Sequence, residues 1–167
     1  VIYSKSFTRV MGPAKMPGTK WFEGAKLNFA ENLLERGNDE DAAIRFTGET
    51  GKKTIWTRKE LKSAVARCTS GLKDAGVKKG DRVAAVVANC PEAVIGVLAT
   101  ASMGAVWSSC SPDFGEKAIL DRFDQIKPKI LIVCNGYTFK GKKYSTKDRI
   151  NVLVKKLKSV KCVIVVD

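Results

Sequence analysis

The sequence predicts an α/β fold: a mostly parallel sheet flanked by helices, preceded by a helical lead-in and a β-hairpin. From residue 57 onward, segments of helical periodicity alternate with short apolar runs, an order typical of parallel sheets. Residues 80–115 contain a strand, a helix and a second strand joined by very short connections. Such a βαβ unit makes its two strands parallel and its crossover right-handed.

The first 36 residues divide into two parts. Residues 1–20 show no clear period, so we expect an irregular lead-in. In residues 21–36 apolar side chains recur at helical spacing, and Asn28 can cap the start of a helix. This part therefore predicts a short amphipathic helix, with inward positions at Leu27, Ala30, Leu33 and Leu34.

A hairpin and a long helix follow. Two short extended runs, residues 42–46 and 54–57, surround a turn that contains two glycines, which is a hairpin pattern. Thr57 precedes Glu60 by three positions, the spacing of a capping box. The helix that begins there is predicted to end near Gly76 and to bury Leu61, Val65, Cys68 and Leu72.

The rest of the chain alternates strands and helices. The β-branched run at residues 82–88 predicts a buried strand. A helix follows, because Pro91 is well suited to the first helical position and Gly104 to the helix end. The remaining predicted elements are a strand at 105–109, a helix at 116–126 ended by Pro128, a strand at 129–134, a basic loop at 135–146, a helix at 148–158 capped by Thr146 or Ser145, and a strand at 161–166.

Composition indicates one folded domain. The chain has 167 residues, of which 44% are hydrophobic, so it can bury a core. No apolar run reaches the roughly 18–20 residues of a membrane span, and no secretory signal opens the chain. The chain begins with Val1 and stops at Asp167 directly after a strand-like run. From these ends we expect a piece of a longer protein.

The spacing of the cysteines and the lack of histidine limit the kinds of metal site and nucleophile that the chain could form. The five cysteines are isolated, with no C-x-x-C pair, and the chain contains no histidine. We therefore expect no zinc site, and a Ser/His or Cys/His nucleophile is excluded within the chain. Isolated cysteines in apolar patterns favour a reducing, cytosolic setting.

Charge is concentrated near the carboxyl end. The net charge is +13, which is compatible with a nucleic acid, a membrane surface or an anionic substrate as partner, or with a solvated surface. In the loop at 135–146, Lys140, Lys142 and Lys143 stand among aromatic residues. Ammonium groups bind phosphate and aromatic faces stack on bases, so both a phosphate site and a solvated basic loop remain open.

Ligands of open parallel sheets bind outside the carboxyl ends of the strands. Here three loops leave such ends: residues 89–91, 108–115 and 135–146. In the second loop, hydroxyls and backbone amides could bind an anion; they belong to Ser108, Ser109, Cys110 and Ser111. The acidic residues Asp113 and Glu116 are instead expected to stabilise the start of the next helix. Neither G-x-x-x-x-G-K-[ST] nor G-x-G-x-x-G occurs, which argues against a complete nucleotide-hydrolysing or dinucleotide-binding module.

Three stretches resemble a known family: WFEGAKLNFAENLL, GDRVAAVVANCPEAVIGVLATASMGAVWSSCSPDFG and ILDRFDQIKPKILIVCNGY. From Trp21 onward the chain resembles the amino-terminal part of the acyl-CoA synthetases, which are adenylate-forming enzymes. Within it, WSSCSPDFG resembles the branch that uses acetoacetate. The resemblance implies that residues 1–37 are an N-terminal segment of the acetyl-CoA synthetase type. It also implies that residues 38–167 are the first part of an AMP-binding domain.

The resemblance implies an acid–thiol ligase. Acetoacetate attacks the α-phosphate of ATP to give acyl-adenylate and diphosphate, and the thiol of CoA then takes the acyl group, with Mg²⁺ as a further cofactor. Basic residues that hold CoA phosphates in the family match Lys140, Lys142 and Lys143, although lysines replace arginines and the spacing differs by about one residue. No catalytic residue is carried over, because the family's phosphate loop and catalytic lysine match nothing in this chain. We therefore expect the chain alone to be inactive.

Two alternatives stay open at this stage. One is a ligase for acetate, propionate or another short acid. The other is a basic nucleic-acid-binding module, although no recognised binding motif supports it. For the first interpretation we expect acetoacetate, ATP, CoA and the remainder of its own chain as partners, and neither a nucleic acid nor a membrane.

Overall fold

The computed structural model describes residues 1–166. In chain order the elements are β1 (Arg9–Met11), β2 (Trp21–Glu23), α1 (Phe29–Leu34), β3 (Ala42–Thr47), β4 (Lys53–Thr57), α2 (Arg58–Asp74), β5 (Arg82–Val86), α3 (Pro91–Ser102), β6 (Val106–Cys110), α4 (Glu116–Ile126), β7 (Ile130–Cys134), β8 (Gly136–Phe139), β9 (Lys142–Ser145), α5 (Lys147–Lys156) and β10 (Cys162–Val166). None of the helices in this range is long and apolar enough to cross a membrane.

A four-stranded sheet forms the centre, in the order β10-β7-β5-β6. All three pairings are parallel, with Val83 opposite both Ile130 and Trp107, and Ile132 opposite Ile164. The carboxyl ends of the four strands therefore meet at one edge. This confirms the predicted α/β class and the parallel βαβ unit.

Helices cover both faces of the sheet. Val83 and Ala85 pack with Leu61, Leu98 and other residues of α2 and α3. The alternate strand positions Ala84 and Val86 pack on the other face, where α4 and α5 contribute Ile119, Phe123 and Leu153. Since successive strand residues point to opposite faces, both sets can be apolar. This explains why the central strands are nearly continuous hydrophobic runs.

The predicted starts of the first three helices are confirmed. Thr57 and Glu60 form the capping box of α2: the Thr57 amide donates to Glu60 Oε2 at 2.7 Å, and the Glu60 amide donates to Thr57 Oγ1 at 3.2 Å. Asn28 caps α1 by accepting from the amides of Ala30 and Glu31. Helix α3 begins at Pro91.

The lead-in differs from the prediction. Residues 9–11 and 21–23 pair as an antiparallel hairpin, whereas the sequence predicted an irregular segment over residues 1–20 and no strand before residue 42. Phe22 and Gly24 have positive φ values of 46° and 83°, which an α-helix cannot contain. Helix α1 is therefore confined to six residues and begins only after the Asn28 cap.

The predicted basic loop at 135–146 is also wrong in its local structure. It forms the hairpin β8–β9, with Phe139 opposite Lys142 and Thr138 opposite Lys143. Lys140 and Gly141 form its turn with φ values of 49° and 74°, the positive pair that a type I′ turn requires. Because lysine is unusual at the first of these positions, the pattern did not predict a hairpin.

Helix α5 begins as expected after Thr146, and of the two predicted capping residues only Ser145 accepts from the first helical amide. The Thr146 hydroxyl donates to the carbonyl of Cys134 at the end of β7, and it makes no capping hydrogen bond. Ser145 Oγ instead accepts from the Lys147 amide at 3.3 Å. Thr146 thus fixes the hairpin and the helix to the sheet edge.

Candidate functional site

A cleft of about 720 Å³ lies at the carboxyl edge of the sheet. The ends of β5, β6, β7 and β10 all contribute to it, as do the loops that follow the first three strands. This is the position where ligands of parallel α/β sheets bind, and the volume is in the range of small-molecule sites. Lining residues from the three strand ends include Val87, Asn89, Ser109, Ser111 and Cys134.

Two hairpins complete the lining. Residues 46–50 come from the end of β3 and the turn after it, and residues 136–139 form β8. The hairpin β3–β4 was predicted, but its place at the cleft was not. It lies more than thirty residues before the loops that it meets, and no pattern in the sequence encodes that distance.

The serine-rich loop after β6 supplies polar groups to the cleft. Ser109, Cys110 and Ser111 line it, as does Asp113, whereas Ser108 does not. Strand alternation explains the exception in part, because Ser108 and Ser109 point to opposite faces of β6. Of the four residues predicted to offer hydroxyls or amides to an anion, three therefore line the cleft.

Two arginines hold this loop in place. Arg149 from α5 donates to the Pro112 carbonyl, and the Arg122 guanidinium lies 5.0 Å from the Phe114 ring centroid. Glu116 stands in the first turn of α4 and pairs with Lys156 at 2.8 Å. The loop is thus a fixed wall of the cleft that α4 and α5 support.

Three cysteines converge on the cleft, namely Cys90, Cys110 and Cys134. Burial raises the pKa of the Cys90 thiol and of the Cys110 thiol to about 11, and it also raises the pKa of Cys134. These thiols are therefore protonated at neutral pH and are poor nucleophiles. Among residues 1–166 there is no group of three His, Cys, Asp or Glu side chains that could hold a metal ion.

The three lysines predicted to bind phosphate lie at the rim of the cleft. Lys140, Lys142 and Lys143 are exposed and are not among the lining residues. Lys140 follows the lining strand β8 directly, and Lys142 and Lys143 pair with its lining residues Phe139 and Thr138. Neighbouring strand residues point to opposite faces, so Lys142 and Lys143 flank the hairpin on its two sides. None of the three makes an ion pair with any residue in 1–166.

Aromatic side chains stiffen the same hairpin. The rings of Tyr137 and Tyr144 stack with centroids 5.2 Å apart and an interplanar angle of 16°. Lys140 Nζ lies 5.4 Å from the Phe139 ring centroid. The hairpin therefore presents ammonium groups on an ordered support, which suits the recognition of a phosphorylated ligand.

The parallel sheet and the cleft at its carboxyl edge define an α/β protein that binds a small ligand at that edge. The family model described as "AMP-binding enzyme" matches residues 30–167, and the chain belongs to this family.

Within the family, the chain is similar to acetoacetyl-CoA synthetases. It is 47% identical to that of Rhizobium meliloti, over 86% of this chain and 22% of the relative. It is 39% identical to that of Macaca fascicularis, over 99% of this chain and 25% of the relative. The solved structure of "Acetoacetyl-CoA Synthetase from Streptomyces lividans" matches with a TM-score of 0.90 and 39% identity, over 99% of this chain and 26% of that one.

Another relative is named for a different activity. The "Malonamoyl-CoA synthetase vrtB" of Penicillium aethiopicum is 36% identical over 98% of this chain and 24% of its own length. The chain thus spans about a quarter of the length of the curated relatives that it matches.

Proposed function

We propose that this chain is the amino-terminal part of an ATP-dependent acetoacetate–CoA ligase. Acetoacetate and ATP give acetoacetyl-adenylate and diphosphate, and CoA then displaces AMP to give acetoacetyl-CoA. Mg²⁺ accompanies the ATP phosphates. The partners are these small molecules and the remainder of the same polypeptide, in the cytosol, with neither a nucleic acid nor a membrane involved.

The observation that carries this proposal is the cleft at the carboxyl edge of the sheet, with a basic hairpin at its rim. The cleft offers hydroxyls and backbone groups but neither a thiolate nor a histidine. Such a lining binds and orients a ligand without attacking it. The names of the similar proteins support acetoacetate as the acid and CoA as the acceptor.

Lys140, Lys142 and Lys143 are proposed to hold the phosphates of CoA. Their ammonium groups have no internal carboxylate partner among residues 1–166. Lysine binds phosphate as a flexible point charge, so the role does not require the bidentate geometry that arginine would give. Residues 136–139, which line the cleft, lie on the partner strand of the same hairpin.

The ligase activity is tested by acid-dependent diphosphate release from ATP in the full-length enzyme that contains this chain. Acetoacetate is expected to support the release, followed by thioester formation with CoA, while acetate and propionate serve as competing acids. Equal or faster turnover with acetate or propionate would assign the other short-acid alternative. The absence of turnover with all three acids would refute the ligase proposal.

The same assay tests whether the 167-residue chain is inactive alone. We expect no diphosphate release from it, because it contains no glycine-rich phosphate loop and no histidine base. Turnover by the isolated chain would show that its own residues suffice for adenylation.

A further inference from the structure

Trp107 and Ser109 form a hydrogen-bonded pair on β6. They are two positions apart on one strand, so both side chains lie on the same face of the sheet. The Trp107 indole Nε1–H donates to Ser109 Oγ at 3.1 Å. A serine hydroxyl that accepts in this way retains its own proton for donation.

The Trp107 ring is fixed by contact with the backbone of α3. A Cβ atom placed on Gly96 would lie 2.6 Å from Cη2 and 2.8 Å from Cζ3 of the ring. Gly96 is buried in the middle of a helix and is not among the residues of positive φ. Backbone freedom therefore does not explain a glycine at this position, whereas the close approach of the indole does.

Ser109 faces the cleft at the carboxyl end of β6, where it pairs in register with Ala85. Trp107 is its hydrogen-bond partner, and no residue in 1–166 accepts a hydrogen bond from its hydroxyl. The hydroxyl is exposed. The arrangement thus presents an oriented donor to whatever occupies the cleft.

We propose that Ser109 binds the ligand in the cleft: its hydroxyl donates a hydrogen bond to an acceptor oxygen of that ligand. Trp107 and Gly96 orient it for this purpose. This inference rests on the proposed function, under which the acceptor is a carbonyl, carboxylate or phosphate oxygen of CoA, acetoacetate or ATP. The indole N–H takes one of the two acceptor lone pairs of Ser109 Oγ and leaves the O–H free to donate to a ligand oxygen.

The test is a titration followed by the indole ¹⁵N–¹H signals of the full-length enzyme that contains this chain. The chain has three tryptophans, and Trp107→Phe assigns the signal of interest. CoA, acetoacetate and ATP are added in separate titrations. The compound whose affinity depends on Ser109 identifies the source of the acceptor oxygen.

The expected result is a shift of the Trp107 signal with one of the three compounds. Ser109→Ala should weaken the binding of that compound by roughly 2- to 10-fold, the usual range for one neutral hydrogen bond. Ser109→Thr keeps the hydroxyl and should restore the affinity. Ser108→Ala is the matched control, since Ser108 points to the opposite face and does not line the cleft, and it should bind like the wild type.

A double-mutant cycle separates positioning from a general loss of structure. Trp107→Phe should weaken binding when Ser109 is present and have no further effect when position 109 is alanine. Full additivity of the two changes, or equal affinity of Ser109→Ala and wild type, would overturn the inference and leave the proposed function intact. If the full-length wild-type enzyme binds none of the three compounds, the proposed role of the cleft fails, and this inference fails with it.

Discussion

The contact between Gly96 and the Trp107 ring links a helix interior to the wall of the cleft. Glycine is a poor helix former, and this position is buried. The loss in helix propensity is offset by the close packing of α3 on β6. Position 96 therefore requires glycine because any side chain there would overlap the Trp107 ring.

Gly96→Ala is predicted to destabilise the chain. The added methyl group overlaps the indole, and such overpacking costs about 1–3 kcal/mol. The gain in helix propensity is up to about 1 kcal/mol and is smaller. Thermal unfolding should show a lower Tm.

Gly71→Ala is the matched control for this substitution. Gly71 lies in α2, is exposed, and a Cβ there would meet nothing within 4 Å. Its Tm should rise slightly, since only the propensity gain applies. Stabilisation of the chain by both alanines would contradict the packing argument.

At the opposite edge of the sheet, Asp81 and Lys129 link the starts of β5 and β7 to the segment that follows α2. Asp81 Oδ2 accepts from Lys129 Nζ at 3.0 Å and from the Lys78 amide at 2.8 Å. Lys129 Nζ also donates to the Gly76 carbonyl at 2.5 Å, just beyond the end of α2. The hydrogen bond from Lys129 and that from the Lys78 amide lower the pKa of Asp81.

Asp81→Asn is predicted to reduce stability in a pH-dependent way. A lowered folded-state pKa adds stability above the unfolded-state pKa, near 3.9, and this stability is lost as pH falls through the folded-state pKa. The urea midpoint of the variant should therefore lie below that of the wild type at pH 7, and the two should approach each other near pH 3.

Asp121→Asn provides the comparison, because Asp121 is exposed and makes no ion pair with any residue in 1–166. It should have little effect at pH 7. A constant difference between Asp81→Asn and wild type at both pH values would refute the electrostatic explanation.

At the scale of elements, the hairpin β8–β9 depends on its two-residue turn. Gly141 has a φ of 74°, and nothing lies within 4 Å of a Cβ built on it. Backbone conformation alone therefore demands glycine there. Lys140 has a φ of 49°, which an asparagine would adopt more readily than lysine.

Gly141→Ala is predicted to destabilise the hairpin by about 1 kcal/mol, the typical cost of a non-glycine residue in this region. Hydrogen exchange of the β8 and β9 amides should become faster. Lys140→Asn should slow the exchange or leave it unchanged. Faster exchange in both variants would show that the turn is not of the type inferred from its φ values.

The elements that the sequence could predict are those whose signals are local. The capping box at Thr57, proline at the start of α3 and the continuous apolar strands each follow from neighbouring residues, and all were confirmed. The hairpin β8–β9 was missed because its two-residue turn lacks the usual Asn-Gly or Asp-Gly pair. The hairpin β1–β2 was missed because its two three-residue strands are joined by residues 12–20, a long loop with no turn pattern. Sequence reasoning placed the cleft from the strand order, yet it could not predict that residues 46–50 line it or that the Trp107 indole donates to Ser109. The first depends on contacts between segments distant in the sequence, and the second on the packing of the Trp107 ring against Gly96.

At the scale of the whole molecule, the charge is unevenly distributed. Residues 136–167 hold eight lysines and one arginine against two aspartates, a net +7 of the total +13. Part of this charge lies on the hairpin at the cleft rim, and part lies on α5 and the segment after it. The hairpin lysines share a hairpin with the lining strand β8, and Arg149 of α5 contacts the lining residue Pro112. Exposed charges act over about 10 Å at moderate salt, so basic groups next to the cleft are placed to act on its ligand.

The most direct test of the account compares CoA with dephospho-CoA, which lacks the 3′-phosphate, by calorimetric titration of the full-length enzyme. The wild type should bind CoA more tightly, and changing Lys140, Lys142 and Lys143 together to alanine should remove most of that preference. Changing the exposed Lys147, Lys155 and Lys158 to alanine removes the same charge elsewhere and should leave the preference intact. Equal binding of the two compounds by the wild type, or an unchanged preference in the hairpin variant, would contradict the assignment of the basic hairpin to CoA.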